Sequence, residues 1–130
     1  MTEKEFKFQY ALGTISKNNL LKIASRSSSK YILTTLSKDK TGAVRAGVAE
    51  NPNTPVAILL KLSNDKEQYV RCCLTRNSNT TIGMLIQLSF DKDWYVRYWV
   101  AENPNTPRKV LTRLSEDNNG VVRACATKKI

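Results

Sequence analysis

The residues best equipped for chemistry in this chain are charged and aromatic, and they recur in a fixed order. An aspartate leads a valine-arginine pair by the same interval four times: Asp39 before Arg45, Asp65 before Arg71, Asp91 before Arg97 and Asp117 before Arg123. Carboxylate and guanidinium in that recurrence form charge-assisted, two-pronged hydrogen bonds. The chemistry expected is therefore a structural ladder, in which each carboxylate takes an arginine fork from its own unit or a neighbouring one and helps to cap the helix that follows. Four copies of one charge pair would make four identical catalytic centres, for which no reason is apparent. The chain has no histidine, which removes the commonest general base and the usual zinc ligand. Its five glycines are scattered and form no phosphate-binding loop. No catalytic residue, metal ligand or cofactor is expected, and the chain reads as a non-enzyme.

The second chemical feature is aromatic. Trp94-Tyr95-Val96-Arg97-Tyr98-Trp99 places four of the ten aromatic residues within six positions. Trp99 falls in the register that other units fill with Gly47, Cys73 and Cys125, and reads as core. Trp94 and Tyr98 lie one helical turn apart, where other units carry Gly42 and Ala46, Gln68 and Cys72, or Gly120 and Ala124. Two large aromatics among small residues form a ridge of the kind that anchors a partner. Arg76 and Lys128 stand where alternate units carry Glu50 and Glu102, so charge varies on a constant frame. The expected partner-binding set is Trp94, Tyr98, Arg71, Arg76, Lys128 and Gln68.

The elements that position these side chains repeat every 26 residues. Leucine-serine recurs at Leu36, Leu62, Leu88 and Leu114, and the segment Ala49 to Pro55 returns letter for letter as Ala101 to Pro107. Such a period signals stacked supersecondary units that share one core. Each unit reads as two short helices. The first is expected to start with Thr54 or Thr106 as cap and Pro55 or Pro107 in the first turn, and it buries Ile58, Leu59 and Leu62 or their equivalents. The second buries Val44, Gly47 and Val48 or their equivalents and ends at Asn-Pro. Thr2 and Glu5 have capping-box spacing, which predicts a helix from Glu3 to Leu12 stopped at Gly13. Leu20 to Ala24 resembles a worn second helix. The expectation is one all-α domain over residues 1–130, with an N-terminal helical cap over 1–24 and about four helix-pair repeats over 25–130.

The string Val-Arg-x-x-Val-Ala-x-Asn-Pro-Asn-Thr-Pro, followed by leucines and Leu-Ser-x-Asp, closely resembles the variant leucine-rich repeat, a group similar to the HEAT and armadillo repeats. The match is specific over Val44 to Leu62 and Val96 to Leu114. The resemblance implies a right-handed α-solenoid of short helix pairs, some of them of the tighter 3₁₀ kind, and a binding surface in place of a defined reaction. The 26-residue period is longer than the family's usual two dozen, and the cysteine cluster that holds an iron-sulfur centre in a founding member is missing. Cys72, Cys73 and Cys125 read as reduced packing residues. A separate likeness, to helical-repeat DNA glycosylases, would use Trp94 and Trp99 with Asp91 or Asp93 in a basic groove, but this chain is much shorter than those enzymes.

The balance of 21 basic and 11 acidic residues, a net charge of +10, favours an acidic macromolecular partner. The partner expected is another protein, bound by an adaptor or inhibitor; a compact chain of this kind would also suit an immunity protein that neutralises a toxin. The alternative is nucleic acid, held by phosphate contacts and aromatic stacking. The start lacks a signal-peptide pattern and no run is long enough to span a bilayer, so the expected compartment is the cytoplasm with no membrane partner.

Overall fold

The computed structural model describes residues 1–130 and consists of ten α-helices without a strand. These are α1 (Glu3–Leu12), α2 (Lys17–Arg26), α3 (Lys30–Leu36), α4 (Gly42–Glu50), α5 (Val56–Leu62), α6 (Gln68–Leu74), α7 (Ile82–Leu88), α8 (Trp94–Glu102), α9 (Arg108–Leu114) and α10 (Gly120–Lys129). None is a 3₁₀ helix, contrary to what the family resemblance allowed. The four short helices α3, α5, α7 and α9 keep α-type bonding to their last turn, with the Ser37 amide donating to the Leu33 carbonyl and Ser63 to Leu59, each at 2.9 Å.

Apolar spacing decides which face each helix buries. In α3 the inward residues are Ile32, Leu33 and Leu36, and in α5, α7 and α9 the same places carry Ile58, Leu59 and Leu62, then Met84, Leu85 and Leu88, then Val110, Leu111 and Leu114. Removing each such side chain from water stabilises by about 1.5–3 kcal/mol. The second helices contribute Val44, Val70, Val96 and Val122, all fully buried. Two members of the expected buried set differ: Gly47 and Trp99 are only half-buried.

The entry into the short helices also differs from expectation. Pro55 and Pro107 sit at the cap position, one residue before the first helical one. Thr54 does not cap α5; its hydroxyl turns back to donate to the Val48 carbonyl at 2.6 Å, as Thr80 does to Leu74 and Thr106 to Val100. It thereby gives an end carbonyl of the preceding helix a second donor beside the Asn51 amide at 3.2 Å. Where proline is missing from the cap position, a hydroxyl replaces it. Ser29 accepts from the Ile32 amide and Thr81 from the Met84 amide, both at 3.2 Å.

At the N-terminus, α1 begins with the Thr2–Glu5 capping box and ends at Gly13, whose φ of 70° is the left-handed conformation that glycine adopts without strain. Phe6 is fully buried and stacks on Tyr10 at 5.2 Å. The following helix α2 packs on α4. Their approach depends on Gly47, because a Cβ there would meet the Ala24 Cβ at 3.0 Å. Helices α2, α4, α6, α8 and α10 pack successively on one another, and each short helix lies against the second helix of its own pair.

Candidate binding surface

The Asp…Val-Arg pattern becomes a ladder with three rungs. Arg45 donates through Nε to Asp65 Oδ2 at 2.8 Å and through Nη2 to Oδ1 at 3.2 Å. Arg71 meets Asp91 in the same way, and Arg97 meets Asp117. The third guanidinium nitrogen points back within the unit, donating to the Asp39, Asp65, Asp91 and Asp117 carbonyls from Arg45, Arg71, Arg97 and Arg123 respectively. All four arginines therefore clamp the turn that launches their own helix, and Arg45, Arg71 and Arg97 also hold the carboxylate of the next unit. The aspartates do not cap the second helices through their first-turn amides. They fold the linker instead, each accepting from the amide two residues on, as Asp65 does from Glu67 at 2.9 Å.

The expected fourth pairing does not form. Asp39 precedes every ladder arginine, and the Tyr10 hydroxyl donates to it instead. Arg123 follows the last ladder aspartate and keeps only its carbonyl bond. Burial pushes the Asp65 carboxyl up, but the Arg45 fork and the Glu67 amide together outweigh it and hold the group below the ordinary carboxylate range. Asp117 is lowered by the same balance, with Arg97 and the Asn119 amide as its partners. Burial drives the three free thiols the other way, Cys72 to about 11, Cys73 to about 12 and Cys125 to about 11.

A second ladder runs along the opposite ends of these helices, and sequence reasoning missed it. Asn77 Nδ2 donates to the Ala49 carbonyl at 2.8 Å and the Asn51 carbonyl at 2.9 Å. Asn51 does the same to Ala24 and Ser27, and Asn103 reaches Thr75. Each side-chain oxygen accepts from the amide two residues on, at Asn53, Asn79 and Asn105. The signal was visible: asparagine recurs at 51, 77 and 103 even where the following proline is replaced by Ser78.

With both ends of the second helices tied down, their exposed faces carry what varies. Trp94 is 41% exposed and Tyr95 38%, whereas Tyr98 and Trp99 are half-buried and pack on the core. Tyr95 is the centre of this cluster, with its ring 5.3 Å from Trp94, 6.1 Å from Tyr98 and 6.2 Å from Trp99. Tyr69 holds the same place one unit earlier and is 59% exposed. Arg76 lies 5.4 Å over the Trp99 ring and pairs with Glu50 at 2.5 Å, so it links three consecutive second helices. Trp99 thus lines a surface groove between α6 and α8 with Arg76 and Glu102, where the sequence register read it as core.

Of the expected partner-binding residues, Trp94, Tyr98 and Arg76 come together on this face. Gln68 is half-buried at the start of α6 and Lys128 is exposed on α10, two units from Arg76. Arg71 is a correction, because it is 6% exposed and its fork is taken by Asp91 and Asp93, so it offers nothing to a partner. The same bonds occupy the two carboxylates that the glycosylase likeness would have needed. Along the linker edge, Lys40, Lys66 and Lys92 are all exposed at one repeat position, and Lys92 precedes Trp94 by two residues.

Residues 42–67 match the leucine rich repeat variant family model. This is a helical repeat family, and the matched span includes Arg45, Asn51, Thr54 and Asp65, which form one complete rung and one asparagine-threonine turn. No curated protein and no solved structure matches the chain. The match covers a single unit, and the aromatic cluster of Trp94 to Trp99 lies outside it. No helix is long and apolar enough to cross a membrane.

Proposed function

We propose that this chain is a non-enzymatic α-solenoid of four helix pairs behind an N-terminal cap, working in the cytoplasm as a binding module for an acidic protein. The observation that carries this reading is the packed cluster of Trp94, Tyr95, Tyr98 and Trp99, flanked by Arg76, where the Tyr98 and Trp99 places of the other units hold only Ala46, Cys72 and Ala124, and Gly47, Cys73 and Cys125. The second helices pack successively on one another, so the cluster stands on a continuous row of helices. A net charge of +10 supplies the attraction for an acidic surface. A protein occupant is favoured over stacked bases because Tyr95 and Tyr98 already stack on each other and Arg76 covers Trp99.

The test is a tagged pull-down from lysate at moderate salt, with and without nuclease, using the wild type and Trp94→Ala/Tyr95→Ala. A stoichiometric protein should survive nuclease, and the double variant should lose at least tenfold in affinity with little change in melting temperature, since both side chains are substantially exposed. Capture that is unchanged in the variant would overturn the assignment of the face. One observation favours nucleic acid as a second reading, namely the row of exposed lysines Lys40, Lys66 and Lys92 at one repeat position. Retention of nucleic acid alone, with a steep logarithmic salt dependence that flattens when the three lysines become glutamine, would replace the protein reading.

A further inference from the structure

The first rung of the arginine ladder lacks its arginine. Asp39 occupies the same linker turn as Asp65, with the Thr41 amide on Oδ1 at 2.8 Å, and it is only 7% exposed. The register of the preceding helix can be read from the asparagine ladder. Asn77 donates to Ala49 and Asn51 donates to Ala24, so Ala24 in α2 is equivalent to Ala49 in α4. Arg45 lies one turn before Ala49, and the residue one turn before Ala24 is Leu20. A leucine therefore stands at the ladder's arginine position, without a fork and shorter by several atoms.

The Tyr10 hydroxyl reaches Asp39 but leaves an open space beside it. Tyr10, Ile15, Leu20 and Asp39 line a cavity of about 530 Å³, with Lys17 and Lys40 also in its wall. That is within the range of about 300–1,000 Å³ common for small-molecule sites. A carboxylate offers about four lone-pair sites, and at Asp39 the Thr41 amide and the Tyr10 hydroxyl use two of them. One acceptor site is left on each oxygen, enough for a two-pronged guanidinium beside the Tyr10 hydroxyl. Neither Lys17 nor Lys40 is in an ion pair. Two ammonium groups beside one carboxylate would disfavour a simple cation and suit a ligand that also carries an anion.

We propose that this cavity binds an arginine zwitterion, with the guanidinium on Asp39, the aliphatic stem against Ile15 and Leu20, and the carboxylate on Lys17 and Lys40. Free arginine and a peptide ending in arginine share that chemistry. Calorimetric titration of the full chain with L-arginine, with a short peptide ending in arginine and with the same peptide amidated distinguishes the two sources. One of the carboxylate-bearing ligands should bind at or below about 1 mM, and amidation should weaken the peptide. L-citrulline, of nearly the same shape but uncharged at the side chain, should bind at least tenfold more weakly. Leu20→Arg restores the missing rung and should abolish binding while the melting temperature holds or rises. Lys17→Gln, at an exposed position, should weaken L-arginine severalfold and serves if Leu20→Arg does not fold. The proposal is overturned by an absence of binding to both arginine and peptide, by citrulline binding equally well, or by a folded Leu20→Arg or Lys17→Gln that binds as the wild type does.

Discussion

At the scale of single residues, the ladder arginines show how one side chain ties two units together. Arg45 and Asp65 are 8% and 9% exposed, so the pair is buried, and loss of one partner leaves the other charge without compensation. Asp65→Asn should lower stability at neutral pH by about 3 kcal/mol, read from urea melts. The same substitution fixes the sign of a pH effect. A carboxyl whose folded pKa is depressed contributes stability that is present above its ordinary value of 3.8 and is lost as pH falls through the lower folded value. Wild-type stability should therefore decline below about pH 4, and Asp65→Asn should decline less steeply. Equal slopes would show that Asp65 is not held down by its partners. The thiols work in the opposite sense at high pH. Cys73, raised from 9.0 to about 12, favours the folded state below its unfolded value, and that contribution is lost as pH rises between the two.

At the scale of elements, the helices were legible in the sequence because their causes are local. The Thr2–Glu5 box and Gly13 delimit α1, and leucine spacing marks the buried stripes of α5 and α9. What escaped reading was directional. Spacing alone left open whether Arg45 would reach Asp39 or Asp65, because both are linker carboxylates and the choice depends on how the units stack. Nor did it show that Thr54 turns back toward Val48, since a threonine before proline satisfies the pattern for either helix. Trp99 was misread for a related reason. Its register is buried where the occupant is Cys73, but an indole is too large for that space and spills into the groove beneath Arg76. These distinctions give the elements different tolerances. Asn77→Ala would strand the Ala49 carbonyl and the Asn79 amide and take one of two donors from the Asn51 carbonyl, at a cost of about 3 kcal/mol. Thr81→Pro copies Pro55 and Pro107 at a position with a φ of −76°, exchanging a hydroxyl cap for a stiffer unfolded chain. Its net effect should stay within about 1 kcal/mol. Chemical denaturation of both variants checks the contrast, and a Thr81→Pro loss as large as that of Asn77→Ala would refute the assigned cap geometry.

At the scale of the whole molecule, both ladders change character toward the ends. At the N-terminal side Tyr10 supplies a hydroxyl to Asp39, and the Ala24 and Ser27 carbonyls still receive Asn51, so α1 and α2 are joined to the array by side chains from two directions. The last helix pair is held less completely. Arg97 grips Asp117, but Arg123 has no carboxylate, and Lys129 stands at the repeat position of the ladder asparagines. In a stack where each unit contacts only its neighbours, stability is approximately a sum of unit and interface contributions, so local opening follows the weakest interface. Amide hydrogen exchange in the 130-residue chain should accordingly be slowest in α6, which lies between the complete rungs Arg45–Asp65 and Arg71–Asp91, and at least tenfold faster in α10. Uniform protection across α4, α6 and α10 would mean that the chain opens as one cooperative body and that the missing rung has no energetic consequence. A gradient would also bear on the aromatic face, because α8 lies between the well-tied α6 and the loosely tied α10. A partner spanning Tyr69 through Trp99 would then dock on the firm part of the array, and its binding should slow exchange in α8 more than in α4.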